Sequence, residues 1–444
     1  GTPELKDFVP TGSTMRTFAG LMVLACVHVA SAFVVTTNRL PLTSSRRSAA
    51  ASATRQDPRS VLSLRSSLEG GDRMSPSRRE ALGFLAGALL IPTAASGSGP
   101  ESYMYKPAPL NGKVKTVVIT GANSGIGNRA AVQLAAAGYN IVLACRTDEK
   151  GSSAAEQVKR DAALLLPEGG SLGEISGAAC DLGNLASVRK FAADFKASGK
   201  MIDILLLNAG VSLSTSLSPP APRTADGFEL TVGTNHLGHF LLANLLYPLV
   251  EQSSDAEPRI VVTASQVHDP SSAGGNVGSK ATLGNLDGLA KGSGWDMVDG
   301  GAFDPDKAYK DSKLCNVFFA AELERRLKAK GSKISCTSMS PGLITKTGLF
   351  KNQAALFVTV FSFIVYNIAH VAETVEFGGD QIARMATSPE LAGKGGEFWS
   401  NSQPGKHTFE PVAVSAEASD TEKGRKLWDL SAAAVGLTAT EASI

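Results

Sequence analysis

The sequence predicts an α/β protein: one doubly wound parallel sheet with helices on both faces. Three observations predict it. Short runs of β-branched and aliphatic residues recur along the body of the chain, as strands buried on both faces require. Longer stretches with helical spacing lie between them, so strand and helix alternate as in successive βαβ units. A glycine-rich turn separates the first strand from the first helix, which makes the expected domain Rossmann-type.

The elements follow in order. The first strand falls at 115–120 (KTVVIT), a helix at 128–137, a strand at 140–144 and a helical stretch reaching 166. Further strands are expected at 174–181, 202–207, 259–264 and 333–339. The single domain spans 111–436, with 437–444 a tail. It exceeds a plain dinucleotide domain in three places: a loop at 212–224, an insertion at 266–306, and a helical extension beyond 348. No internal repeat is visible.

Residues 1–110 read as a targeting leader and linker. From Met15 a basic start leads to an apolar run at 21–32 ending Ala30-Ser31-Ala32-Phe33, which describes a secretory signal. The segment 36–68 is rich in Ser, Ala and Arg, with Asp57 its one acid, and has transit-peptide composition. The pair resembles the two-part leader of plastids that lie inside the secretory system. Arg78-Arg79 followed by the apolar 81–95 resembles a twin-arginine signal for thylakoid transfer. The location expected is the plastid, stromal or thylakoid-associated, or lumenal if that third element acts.

Charge and cysteine usage narrow the function. The 444 residues carry 43 Lys+Arg against 41 Asp+Glu, a net charge of +2, which argues against a nucleic-acid partner. Cys26, Cys145, Cys180, Cys315 and Cys336 are scattered, with no CxxC pair, so neither a disulfide scaffold nor a metal site is expected. His236 and His239 lie three apart without a third ligand and read as packing.

Chemistry begins at the glycine turn, Thr120-Gly121-Ala122-Asn123-Ser124-Gly125-Ile126-Gly127. Glycines there let the backbone approach a pyrophosphate, and the following helix offers unpaired N–H groups and a positive dipole end. Arg146, after the second strand, suits a 2′-phosphate where an acid would suit a free ribose, so NADPH is the expected cofactor. Asn208-Ala209-Gly210 is small enough for the chain to pass close to it. Tyr309 and Lys313 are four apart on one helix and share a face. An ammonium there is expected to lower the phenol's pKa for proton exchange. Ser265, at a strand end, can bond a reacting oxygen, and Asn235 can hold a water leading to Lys313.

This ordered set resembles the short-chain dehydrogenase/reductase superfamily across 111–436. Within it the chain is most similar to the light-dependent protochlorophyllide oxidoreductases, at 227–242, 297–316, 347–350, 398–400 and 417–428. The resemblance implies reduction of a ring C=C of a tetrapyrrole pigment by NADPH under light, in chlorophyll synthesis. It also implies cofactor contacts from Gly121, Ser124, Gly125, Ile126, Gly127, Asp181, Leu182, Pro341 and Gly342. The chain departs from the family pattern at Leu207, Ser212, Ser340, Leu343 and Lys346. A dark NADP-dependent dehydrogenase of a lipophilic alcohol or carbonyl is the alternative. The nearly uncharged stretch 354–371 reads as a substrate lid, a peripheral membrane contact or plain core. Oligomeric state stays open.

Overall fold

The computed structural model describes residues 105–444, apart from 167–168, 351–352, 354, 370, 404–405, 439 and 442–443. The signal, transit and twin-arginine segments lie outside the described residues.

The order is β1 (Thr116–Thr120), α1 (Gly125–Ala136), β2 (Asn140–Cys145), α2 (Asp148–Ala163), β3 (Ile175–Ala179), α3 (Leu185–Ala197) and β4 (Ile204–Leu207). A π-helical turn, Gly233–Leu237, then opens directly into α4 (Gly238–Glu251), which is followed by β5 (Arg259–Thr263). After the insertion come α5 (Pro305–Ala329), β6 (Ser335–Met339), α6 (Ala355–Phe363), α7 (Val375–Thr387), β7 (Phe398–Ser400), β8 (Glu410–Val412) and α8 (Thr421–Ala434). The sheet runs β3-β2-β1-β4-β5-β6-β7-β8, parallel except for the last pairing. Strand order reverses at β1 and β4, and ligands of such sheets bind at the carboxyl ends there.

Alternation within each strand explains the two layers. Val118, Leu205 and Val262 point into the core shared with α4 and α5. Val117, Ile119, Leu206 and Val261 point the other way, toward α1, α2 and α7. Every residue of β1 is buried, as its unbroken apolar run requires. The helix α5 starts where it does because Asp304 caps it, accepting from the amides of Asp306 (2.9 Å) and Lys307 (3.1 Å), with Pro305 at the first helical position.

The structure differs from expectation at both ends. Packing begins ahead of residue 111: the Tyr105 hydroxyl lies 3.0 Å from Thr387 Oγ1, and the Leu110 amide donates to Ala137 O at 2.9 Å. The extension beyond 348 is not purely helical, because β7 and β8 widen the sheet. Three residues are too few to show a strand period, and β7 exists through its register with β6, Ser338 against Phe398 and Met339 against Trp399. The expected tail also packs: Leu437 and Ile444 lie on the α4/α5 core, and Glu441 pairs with Arg189.

Candidate active site

The cofactor side is built by close backbone approach. Gly121 has a φ of +68°, and a Cβ on it would sit 2.7 Å from the Cα of Ala209. A Cβ on Gly127 would lie 2.4 Å from Asn208 Nδ2 and 2.7 Å from the carbonyl of Gly121. The turn after β1 and the turn after β4 are therefore pressed together, and only glycine permits it. Ser124 precedes α1 in extended conformation without capping it through its side chain, which leaves the first amides of α1 for an anion. Ile126 packs against α7, where a Cβ on Gly378 would come within 2.7 Å of it. Arg146 follows β2 and is exposed. Asp181 follows β3 and accepts from the amide of Gly183 at 3.0 Å, while Leu182 is buried beneath Gly238. Pro341 and Gly342 follow β6, and residue 347 returns to the glycine turn, with Thr347 Cγ2 3.5 Å from a Cβ built on Gly125. The donor set, the open amides and the exposed Arg146 fit a phosphorylated dinucleotide.

The catalytic side is assembled on α5. Lys313 Nζ donates to the carbonyl of Thr263 at 3.1 Å and lies 5.6 Å from the centroid of the Tyr309 ring. Asn235 sits in the π-helical turn, and its amide is fully engaged. Its Oδ1 accepts from the Val211 amide at 2.8 Å; its Nδ2 donates to Val211 O at 2.9 Å and to Ser312 Oγ at 3.0 Å. A Cβ on Gly210 would lie 3.5 Å from Asn235 Oδ1 and 3.6 Å from Lys313 Nζ, so both groups face one small space. Ser265 lies two residues past β5 and caps the turn Gln266–His268, while its carbonyl accepts from His268 Nδ1 at 2.7 Å. That turn packs against α5.

The electrostatics reverse one expectation. Burial raises the Tyr309 pKa above that of an ordinary phenol, instead of the neighbouring ammonium lowering it. Burial likewise pulls Lys313 down to about 8. The ammonium lies 5.6 Å from the ring centroid, and burial outweighs what it lends the phenolate. At neutral pH the pair is therefore a phenol beside an ammonium.

Sequence reasoning missed the groups that hold these side chains. Thr120 Oγ1 accepts from the amides of Asn208 (2.9 Å) and Ala209 (3.0 Å) and lies 2.9 Å from His239 Nε2. The other nitrogen, Nδ1, faces a carbonyl, Asn235 O at 2.9 Å, so it carries the proton and Thr120 donates to Nε2. Burial holds His239 down at about 4, neutral beside Lys313. Its place four residues after Asn235 was the available signal. His236 is equally buried, 2.9 Å from Ser431 Oγ. Among the described residues no cluster of three His, Cys, Asp or Glu could hold a metal.

The family described as short chain dehydrogenase matches residues 115–291. The chain is 39% identical to a chloroplastic protochlorophyllide reductase of Chlamydomonas reinhardtii, covering 79% of this chain and 87% of that protein. It is 40% identical to its namesake in Cucumis sativus, covering 79% and 85%. A solved structure of an uncharacterised protein from Mycobacterium paratuberculosis superposes with a TM-score of 0.53 at 28% identity, over 75% of this chain and 98% of that one. Identity at that level, sustained across most of each relative, has one meaning for descent: this chain belongs to the short-chain dehydrogenase/reductase family, in the group that holds the protochlorophyllide reductases.

Proposed function

We propose that this chain is an NADPH-dependent plastid reductase that adds hydrogen across a ring C=C of protochlorophyllide, with light driving the hydride step. The observation that carries the reading is the Tyr309/Lys313 pair, a half-buried proton donor beside a buried charge partner at the carboxyl edge of the sheet. NADPH, when bound, supplies the hydride. The glycine turn and the first amides of α1 would hold its pyrophosphate, Arg146 its 2′-phosphate, and Asp181 and Leu182 its adenine. Residues 208–210 and Lys313 would border the ribose, with Pro341 and Gly342 at the nicotinamide.

Reduction of a C=C places a hydride on one carbon and a proton on the other. Tyr309 gives the proton: desolvation keeps its phenol protonated at neutral pH, which suits a donor. The phenolate left behind gains from the adjacent ammonium of Lys313, which is mostly protonated below about pH 8. Asn235 holds the 210–211 turn and Ser312 in fixed relation to that pair. Ser265 faces the substrate from the end of β5. A lipophilic pigment would enter past α6, whose surroundings expose Val360, Phe363 and Ile368; the same residues suit peripheral contact with a thylakoid surface from the stroma. Among the described residues no helix is long and apolar enough to cross a membrane.

The test mixes purified protein, NADPH and protochlorophyllide and compares absorbance in darkness and after a flash. The expected product appears only after the flash. No product under light, together with reduction of retinal in the dark, would replace this reading with the carbonyl-reducing alternative, in which Ser265 polarises the oxygen.

A further inference from the structure

Glu373 is a buried carboxylate that the mechanism above does not use. Its side chain is 0% exposed, yet both oxygens are spent on a distant segment, the connection between β7 and β8. Asn401 Nδ2 donates to Oε1, and His407 Nδ1 lies 2.5 Å from Oε2. Its backbone binds in two further directions. The Glu373 amide donates to Leu343 O at 2.8 Å, and its carbonyl accepts from the Tyr366 hydroxyl at 2.7 Å. Asn401 extends the tie, because its carbonyl accepts from Gln266 Nε2 at 2.6 Å, one residue beyond Ser265.

Four segments thus meet around one residue: the loop after β6 and the approach to α7 at its backbone, the β7–β8 connection at its carboxylate, and the turn capped by Ser265 through Asn401. The loop has no ladder of its own beyond one bridge, Leu343 to Ala372. Gly342 lies directly on Glu373: with φ at +88°, a Cβ there would come 2.7 Å from Glu373 Cγ. Removing a carboxylate from water costs several kcal/mol unless it is well paired. Neutral side chains could join the same segments at lower cost. A carboxyl group takes two partners at once and so makes a short, directional tie.

We propose that Glu373 is a positioning residue that fixes the loop 341–347 for the nicotinamide end of NADPH. The loop is thereby coupled to Ser265 on one side and to the apolar lid on the other. The inference rests on the reading of this chain as an NADPH enzyme and deepens it.

The test compares Glu373→Ala, Glu373→Gln and Gln266→Ala in the full chain. Three measurements are made: NADPH affinity by nicotinamide fluorescence, amide exchange of residues 340–350 without cofactor, and the melting midpoint. Glu373→Ala should weaken NADPH about ten- to a hundredfold and quicken exchange in that loop. Glu373→Gln keeps the shape and an acceptor for Asn401, and should recover most of both. A purely structural role predicts a lower melting midpoint with NADPH affinity and loop exchange as in the wild type, and that result overturns the proposal. If Glu373→Ala does not fold, Gln266→Ala decides, since it loosens Asn401 from outside the carboxylate. Faster loop exchange and several-fold weaker NADPH support the proposal, and no change in either removes it. A wild type that binds no NADPH would instead sink the proposed function, while loop exchange would still report on Glu373.

Discussion

The two halves of the candidate site are held by different forces. On the cofactor half, backbone lies on backbone: Gly121 against Ala209, and Gly127 against the carbonyl of Gly121, at separations that exclude a Cβ. Charged side chains play no part in those contacts. On the tyrosine half, the irregular insertion is fastened to α5 by ions on either side of Tyr309. Lys307 Nζ reaches Asp311 Oδ2 (2.5 Å), Asp299 Oδ2 (2.9 Å) and Thr282 O (2.7 Å), and the Thr282 amide donates back to Asp311 Oδ1 at 3.0 Å. Lys310 does the same for Ser279 O (2.8 Å) and Asp306 (2.9 Å). A dinucleotide presents the same phosphates whatever the reaction, so a rigid backbone cradle suffices. The insertion 266–306 carries no strand among the described residues, and its ionic contacts with α5 set its place.

The sharpest break between the halves is Tyr309→Phe. Phe retains the packing and removes only the hydroxyl, so turnover should fall about 10²–10⁴-fold, the scale of general acid catalysis. NADPH affinity, measured by fluorescence, should stay near that of the wild type. Turnover close to normal would take Tyr309 out of the mechanism.

Next in size is Asp311→Ala, which leaves Lys307 with Asp299 as its carboxylate partner and the Thr282 amide without its acceptor. Losing a buried charge-assisted hydrogen bond and orphaning that amide costs about 2–4 kcal/mol. Denaturant unfolding should register that loss, and protease sites within 266–306 should open first. Unchanged stability would mean that the insertion is held by its apolar contacts alone, such as Leu283 and Leu286 in the core.

Arg146→Ala probes the other half and should cost less. A charge-assisted contact to a 2′-phosphate is worth about 1.5–3 kcal/mol, or ten- to a hundredfold in NADPH affinity, with NADH unaffected. Titrating both cofactors decides it; equal affinities in the wild type would refute the choice of NADPH.

The smallest effect is on pH dependence. Lys313 titrates near 8 rather than 10.5, and Tyr309 titrates above its ordinary value. Below pH 8 both groups carry the protons the reaction needs. As pH rises through 8 the ammonium is lost first, so kcat/KM should halve near pH 8 and fall about tenfold per unit beyond. A flat profile to pH 10 would show that the ammonium is not required.

Much of this was legible before any coordinates. KTVVIT and the five strands that follow it announce a parallel sheet, because short runs without helical period alternate with longer helical stretches. The glycine turn, Asn208-Ala209-Gly210 and the Tyr309/Lys313 spacing announce a dinucleotide site, because each is a local requirement written into adjacent residues. Less was legible beyond residue 340. β7 is three residues long and owes its existence to β6. Glu373 lies 28 residues from Asn401 and 34 from His407, and nothing in the intervening sequence signals their meeting.

The sequence by itself determined the fold class, the succession of the first six strands along the chain and the residue types gathered at their carboxyl ends, since these depend on period, turn chemistry and spacing over a few residues. Only the tertiary structure decided the charge states of those residues. Tyr309 and Lys313 read alone suggest an ammonium acidifying a phenol; enclosed in the folded protein, each is pushed toward its neutral form, because desolvation is set by everything packed around a group and not by its neighbours in the chain.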